Sequence, residues 1–335
     1  MLWKLNRPLY GLRTAPKDWQ DHFADTMQEL GGIRLKCENN VYLFPAHDGN
    51  NAHNHYVMGY VDDLIITGEN PQPLFDKIAG KLLLKPTGEL KAGTSIKFLG
   101  RQLHHKGDRI EIVSPENYLD TTFDDYQLRS AKGTMTPGTP QRKTATGVSE
   151  LESNDATRYR SAVGKLMWLT PIRPDIYYAT KELSRQLQTP TEDDEARLKH
   201  LLRYMITTKD YKFTLAPRIN LLDNSKTHNV QITVAVDSDW AGCQTTRKST
   251  SGGVLQVLGT ALNSWSRTQQ TVATSSCEAE LYAIGSGTHE AQRAPGRPSP
   301  RSRAWARKLS SSARAPDRRS HSRPASTPPA SCASR

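Results

Sequence analysis

The sequence predicts an α+β chain, and three observations carry that prediction. Short apolar runs bounded by turn residues, Val41 to Phe44, Tyr56 to Met58 and Leu64 to Ile66, mark strands in the first third. Apolar residues recurring at three and four, Tyr159, Val163, Leu166 and Met167 and then Ile176, Ala179, Leu183 and Leu187, mark helices in the middle. After Asn229 the period returns to that of strands, and one further helix follows.

The elements follow in chain order. Pro45 to His55 contains Asp48-Gly49-Asn50-Asn51 between two apolar runs, so a hairpin with a long loop is expected there. Tyr60-Val61-Asp62-Asp63 then falls at the end of an apolar strand or in the turn of a second hairpin. Gly133 to Thr157, with Pro137, Gly138 and Pro140, interrupts every period and predicts a surface linker. Pro171 and Pro174 split the helical stretch beyond it, because proline removes a backbone donor and clashes with the preceding turn. Thr191 and Asp194 form a capping-box pattern that opens the next helix, with Leu198, Leu201, Leu202 and Met205 on one face.

Strands are predicted at Ile232 to Val236, Gly253 to Leu258 and Ala261 to Trp265, with Gly259-Thr260 as the tight turn between the last two. Ser275 and Glu278 repeat the capping-box pattern and start a helix through Leu281, Tyr282 and Ile284.

Composition narrows the function classes. The 335 residues carry 45 Lys plus Arg against 34 Asp plus Glu, a formal charge of +11. Almost all of it belongs to residues 291–335, which hold 11 basic residues and the single acid Asp317. That segment is rich in Pro, Ser and Arg and poor in large apolar residues, so it is expected to be disordered. The basic balance is therefore a property of the tail and says nothing about the folded body. No run of about 18 uncharged apolar residues exists, so no membrane helix is expected. Charges at Lys4, Arg7, Arg13 and Lys17 leave no room for a signal-peptide core, and secretion is not expected. Cys37, Cys243, Cys277 and Cys332 form no CxxC pattern and suggest neither a zinc site nor a disulfide framework.

Two carboxylate sets could carry chemistry. Asp62 and Asp63 are adjacent acids that repel one another, and an ordinary Asp-Asp turn would leave both solvated. Divalent cations between them and a phosphate give the pair a purpose, since hard oxygen ligands suit Mg²⁺. The second set is Asp237 and Asp239 at the end of a strand, with Glu280 far downstream on a helix. Glu280 shares its face with Ala283 and Ile284, which places a carboxylate beside apolar packing.

The sequence resembles the reverse transcriptase of copia-type LTR retrotransposons, in which a Tyr-Val-Asp-Asp hairpin forms the centre of the palm. Leu5-Asn6-Arg7-Pro8-Leu9-Tyr10-Gly11-Leu12-Arg13-Thr14-Ala15-Pro16-Lys17-Asp18-Trp19 is similar to the family segment along the incoming nucleotide and template. Phe98-Leu99-Gly100, after Gly88-Glu89-Leu90, is similar to the primer-grip strand. Tyr159-Arg160-Ser161-Ala162-Val163-Gly164 with Arg173-Pro174-Asp175-Ile176 resembles the connection between polymerase and RNase H. Asp237-Ser238-Asp239-Trp240-Ala241-Gly242, Arg247-Lys248-Ser249-Thr250-Ser251-Gly252 and Ser275-Ser276-Cys277-Glu278-Ala279-Glu280-Leu281 resemble the first half of the RNase H domain.

The resemblance implies a partial reverse-transcriptase palm and thumb over 1–135, a linker over 136–157, a helical connection over 158–215, a truncated RNase H-like α/β domain over 230–290 and a tail over 291–335. It implies Asp62, Asp63, Asp237 and Glu280 as catalytic metal ligands, and Tyr10, Gly11, Pro16, Tyr60, Phe98, Leu99 and Gly100 as substrate contacts. Mg²⁺ or Mn²⁺ would be the cofactor. RNA template, DNA primer and RNA/DNA hybrid would be the partners, with remaining Pol polyprotein segments as further partners and the cell interior as the location. Each site would be a two-metal centre with ions about 3.5–4 Å apart.

The family pattern also places a polymerase Asp upstream of residue 1 and further RNase H ligands beyond Glu280. The chain is accordingly expected to be a fragment in which neither centre works efficiently alone. The alternative function is non-catalytic nucleic-acid binding, with phosphate contacts from tail residues such as Arg303, Arg307 and Arg314. A transition-metal site built on His53, His55, His104 and His105 is disfavoured, because closed sites need three or four convergent ligands. Of the tryptophans that could stack bases, Trp3, Trp19, Trp168, Trp240 and Trp265, packing is expected for Trp168 and Trp265.

Overall fold

The computed structural model describes residues 9, 11–36, 38–46, 54–139, 149–216 and 231–293. Trp3, Tyr10, His53, the loop tip over 47–53, linker residues 140–148 and the tail beyond 293 lie outside the described residues. The architecture is mixed α and β, with three hydrophobic cores strung along the chain.

The first core forms where helix α1 (Ala15–Glu29) lies on a four-stranded antiparallel sheet of β1 (Ile33–Arg34), β2 (Val41–Phe44), β3 (His55–Tyr60) and β4 (Asp63–Thr67). Pro16 stands in the first turn of α1, where its missing N–H costs no hydrogen bond. Trp19, Phe23, Met27 and Leu30 then recur at helical spacing on the face toward the sheet. Tyr42, Val57 and Ile66 stand opposite one another across β2, β3 and β4, so alternation sends all three to that face. Helix α2 (Gln72–Ala79) closes the core with Ile78. The expected long-loop hairpin is β2 and β3, paired from Val41 with Met58 to Phe44 with His55.

The second core begins with the antiparallel strands β5 (Ser95–Phe98), β6 (Arg101–His105) and β7 (Ile110–Val113) and the short helix α3 (Asp120–Asp125). It continues through α4 (Ser153–Leu169), a 3₁₀ turn (Pro174–Ile176), α5 (Tyr177–Ser184) and α6 (Glu192–Thr207). The break after Leu169 falls where Pro171 and Pro174 require it. At Thr191 the capping box is complete: its side chain accepts from the Asp194 N–H, and the Asp194 carboxylate accepts from the Thr191 N–H at 3.0 Å. Leu198, Leu201, Leu202 and Met205 are all buried against Tyr159, Val163 and Leu166. Met167 is not: it is 48% exposed, because Leu166 and Leu169 hold the inner face and Met167 lies a quarter-turn away.

The third core packs helix α7 (Ser276–Arg293) on an antiparallel sheet ordered β11–β10–β9, made of β9 (Ile232–Asp239), β10 (Thr250–Val257) and β11 (Thr260–Thr268). Val236, Leu255, Trp265 and Ala283 are buried there. Gly253 and Gly287 are obligatory: a Cβ on Gly253 would stand 2.2 Å from the Trp265 ring, and one on Gly287 would stand 2.5 Å from Val236.

Packing groups the chain differently from the sequence boundaries. Leu119, Tyr126 and Leu128, placed in the 1–135 unit, are buried by α4, α5 and α6. The end of the 158–215 connection is not helical: β8 (Phe213–Leu215) pairs with β7 and completes the second sheet, because Phe213 needs the same core. The linker's last residues, 153–157, form the first turn of α4, whose polar Ser153, Asn154 and Asp155 conceal a helix anchored by buried Ala156. Likewise residues 291–293, placed in the tail, continue α7, and Ala291 is buried. The turn between β10 and β11 is Leu258-Gly259, one residue earlier than expected, since both have positive φ and Val257 pairs with Thr260.

Candidate active site

Asp62 and Asp63 sit at the tip of the β3–β4 hairpin. Tyr60 pairs with Asp63, leaving Val61-Asp62 as a two-residue turn, and Val61 takes a left-handed φ of 52°. Both carboxylates are exposed, and neither has an ion-pair partner among the described residues. They line a groove of about 280 Å³ whose walls include Pro16, Trp19, Gln20, Tyr60 and Leu84. Helix α1 forms one wall and is tied to the turn, for Trp19 Nε1 donates to the Val61 carbonyl at 3.0 Å. Behind it Phe23 lies over Gly59, where a Cβ would meet the ring at 2.8 Å.

Of the expected substrate contacts, Pro16 and Tyr60 line this groove with the two acids. Gly11 is exposed just before α1 with a φ of 96°, and Tyr10 is not described. Phe98, Leu99 and Gly100 do not line the groove. Phe98 ends β5, and Leu99-Gly100 is the tight turn into β6, with φ of 47° and 75°. That turn lies on α4: Arg101 Nη2 donates to the Trp168 carbonyl at 3.2 Å, and its guanidinium stacks 5.0 Å from the Trp168 ring. The wall residues Trp19 and Phe23 were legible as a helical face from Trp19, Phe23, Met27 and Leu30, behind Pro16 in the first turn.

The second carboxylate set has a different geometry. Val234 and Val236 face Gly287 of α7, so strand alternation turns Asp237 to the opposite side of the sheet. There it lines a groove of about 630 Å³ with Asp239, Thr250 and Ser266, walled by Tyr177 and Tyr178 of α5. Lys181 on α5 donates to the Thr250 hydroxyl at 3.0 Å and to Glu182 at 2.5 Å. Burial pushes the Asp239 carboxyl up, against the backbone N–H of Thr250 and the charge of Lys181.

Glu280 is on α7, with one buried carboxylate oxygen that lacks a hydrogen-bond donor. Among the described residues no three His, Cys, Asp or Glu side chains gather as a metal site. The exposed carboxylates of Asp62 and Asp63, both lining the groove and without an ion-pair partner among the described residues, are donors of the type a divalent ion takes.

His55 and His105 make local contacts. His55 is buried, and its Nε2 lies 3.1 Å from the Asn70 carbonyl. His105 Nδ1 accepts from the Gly107 N–H, which closes the β6–β7 turn. Trp265 is core and Trp168 stacks on Tyr118, whereas Trp240 is 54% exposed with its indole N–H on the Ala273 carbonyl.

Comparison with known proteins places this geometry in a family. A family model for reverse transcriptase (RNA-dependent DNA polymerase) matches residues 1–140. The chain is 30% identical over 295 residues to the retrovirus-related Pol polyprotein from transposon RE1 of Arabidopsis thaliana, covering 86% of this chain and 19% of that protein. It is 29% identical over 290 residues to the Pol polyprotein from transposon TNT 1-94 of Nicotiana tabacum, covering 84% of this chain and 21% of that protein. An uncharacterized mitochondrial protein of Arabidopsis thaliana is 34% identical over 236 residues, 68% of this chain and 90% of its own length. No solved structure matches the chain. The chain spans about a fifth of the transposon polyproteins it matches. The span that carries the paired-acid hairpin, its groove and the helix that walls it, residues 1–140, is thus a reverse transcriptase domain, in a chain that over most of its length is similar to retrovirus-related Pol polyproteins from transposons.

Proposed function

We propose that the chain supplies part of the catalytic palm of an RNA-directed DNA polymerase, and that Asp62 and Asp63 are ligands for Mg²⁺ or Mn²⁺. The observation that carries this reading is the β3–β4 hairpin, which presents two adjacent carboxylates without a cationic partner in a groove with Pro16 and Tyr60. Asp62 and Asp63 would hold the ions, which would supply charge stabilisation for phosphoryl transfer to a primer 3′-hydroxyl. The chain's own residues hold the carboxylates at the turn, and α1 shapes the groove beside them. Template RNA and primer DNA would lie along that groove, with Tyr60 against them.

Residues 232–293 are proposed as the beginning of an RNase H-like unit acting on RNA/DNA hybrids, with Asp237 and Glu280 its candidate acids. Strand and helix order agree with that assignment. Asp237 faces away from α7 by strand alternation, and no cluster of three acids includes it among the described residues. With no three-acid cluster among the described residues, the isolated chain is proposed to work inefficiently in both reactions. The same observation favours, as a second reading, a chain that binds nucleic acid without turning it over.

Fe²⁺-directed cleavage tests the polymerase reading. Fe²⁺ and ascorbate added to the chain with a primer annealed to an RNA template should cut the protein near residues 61–63 and the primer near its 3′ end. Mg²⁺ should compete, and Asp62→Asn with Asp63→Asn should abolish both cuts. Cleavage that ignores these substitutions would overturn the reading.

A further inference from the structure

The turn that carries the paired acids is held in an unfavourable conformation. Val61 has a φ of 52°, a left-handed backbone that a β-branched residue rarely adopts, and such conformations persist only where their surroundings impose them. Two contacts do so from α1. The indole N–H of Trp19 donates to the carbonyl of Val61 itself, across 42 residues of chain. Phe23, one helical turn on and 6.1 Å from Trp19 between ring centroids, lies on Gly59 two residues before Val61. The Trp19 ring is thereby fixed on one side by Phe23 and by His22 at 6.3 Å, with its polar edge aimed at the turn.

We infer that Trp19 is a positioning residue, which aims the Asp62 and Asp63 carboxylates by holding the Val61-Asp62 turn through its indole N–H. The inference rests on the reading of the two acids as ion ligands, and it assigns to α1 a role beyond walling the groove. Asp62 directly follows the carbonyl that Trp19 holds, so rotation of that peptide would swing both carboxylates relative to one another. Among the described residues, the Trp19 indole is the donor that reaches the Val61 carbonyl from outside the hairpin.

The test uses Trp19→Phe, which keeps a ring for Phe23 to pack on and removes only the donor. Two measurements are made on the full chain: amide hydrogen exchange at residues 61–63, and Mn²⁺ affinity from the free-ion EPR signal. Ion binding at the hairpin is defined as the part lost in the Asp62→Asn, Asp63→Asn double variant. Losing one such hydrogen bond should speed exchange and weaken hairpin Mn²⁺ binding, each by up to about tenfold.

A second variant separates turn-holding from general damage. Val61→Gly removes the Cβ that opposes a positive φ, so in that background Trp19→Phe should change both readouts by less than about threefold. Unchanged exchange at 61–63 in Trp19→Phe overturns the inference, as does faster exchange with unchanged affinity at a hairpin that does bind Mn²⁺. An effect of equal size in the Val61→Gly background also overturns it. If exchange quickens as expected but no Mn²⁺ binding depends on Asp62 and Asp63, the polymerase-site reading fails while Trp19 keeps its hold on the turn.

Discussion

The Phe23 ring lies over the bare Cα of Gly59, so near that a Cβ there would stand 2.8 Å from two ring carbons. The contact joins α1 to β3 directly behind the paired acids, and it packs edge-on against Tyr42 at 5.6 Å. Glycine at 59 is what allows a helix to approach the hairpin this closely. Gly59→Ala is therefore expected to destabilise the first unit by about 1–3 kcal/mol through overpacking. Urea denaturation measures it, and Phe23→Leu in the Gly59→Ala background should recover part of the loss. Equal stability of Gly59→Ala and the natural chain would refute this account of the packing.

Catalytic competence gives a second expectation. On the proposed ion-ligand reading, two carboxylates at the hairpin, with no cluster of three acids among the described residues, would hold divalent ions weakly. The chain alone, with Mg²⁺ and a primer on an RNA template, should extend few primers or none. Robust extension that disappears in Asp63→Asn would show that the described acids suffice.

The Thr191 capping box should be measurable as stability. Its hydroxyl accepts from Asp194 N–H and donates to the Asp194 carboxylate at 2.7 Å, at the start of a helix whose inner face is wholly buried. Thr191→Ala should cost about 1 kcal/mol. At the start of α7, Ser275 Oγ accepts from Glu278 N–H at 3.2 Å, while Glu278 reaches back to Thr274 and not to Ser275. Ser275→Ala should accordingly cost less than Thr191→Ala in thermal unfolding, and the reverse order would contradict the cap geometry.

The Cys243 thiol gives a pH dependence with a definite sign. Burial raises it, but hydrogen bonds from Thr246 and Arg185 and the Arg185 charge outweigh burial and bring it down to about 7. Arg185 Nη2 lies 2.9 Å from the sulfur and links α5 to the loop after β9. A thiol more acidic in the folded chain than in the unfolded one stabilises the fold above its unfolded value near 9, and that contribution is lost as pH falls through about 7. The melting temperature should thus gain between pH 7 and pH 9 in the natural chain. Cys243→Ser should remove that increment, and an identical pH profile for both proteins would refute the pairing.

Much of the architecture is local and was legible from residue order. The Thr191 cap, the break at Pro171 and Pro174, the face of Leu198, Leu201, Leu202 and Met205, and the paired acids in a tight turn each depend on neighbours within a few residues. Helix α1 carries a local signal of the same kind, Pro16 in the first turn and a Trp19, Phe23, Met27, Leu30 face, although the expectation for that segment was substrate contact and not a helix.

By itself the sequence determined the strands β2 to β4 and β9 to β11, the helices α4 to α7 and which tetrapeptide bears the acids, because periodicity and turn chemistry act over short range, whereas α1, α2, α3 and β8 came into view only with the tertiary structure. Tertiary structure alone decided which surfaces meet. It set Trp19 on the Val61 carbonyl and buried Leu119 and Tyr126 under helices that follow them, and it paired Phe213 with β7. It also sent Asp237 to the sheet face away from α7, the helix that bears Glu280, since a strand's alternation fixes a side chain's face only once the packing partner of each face is known.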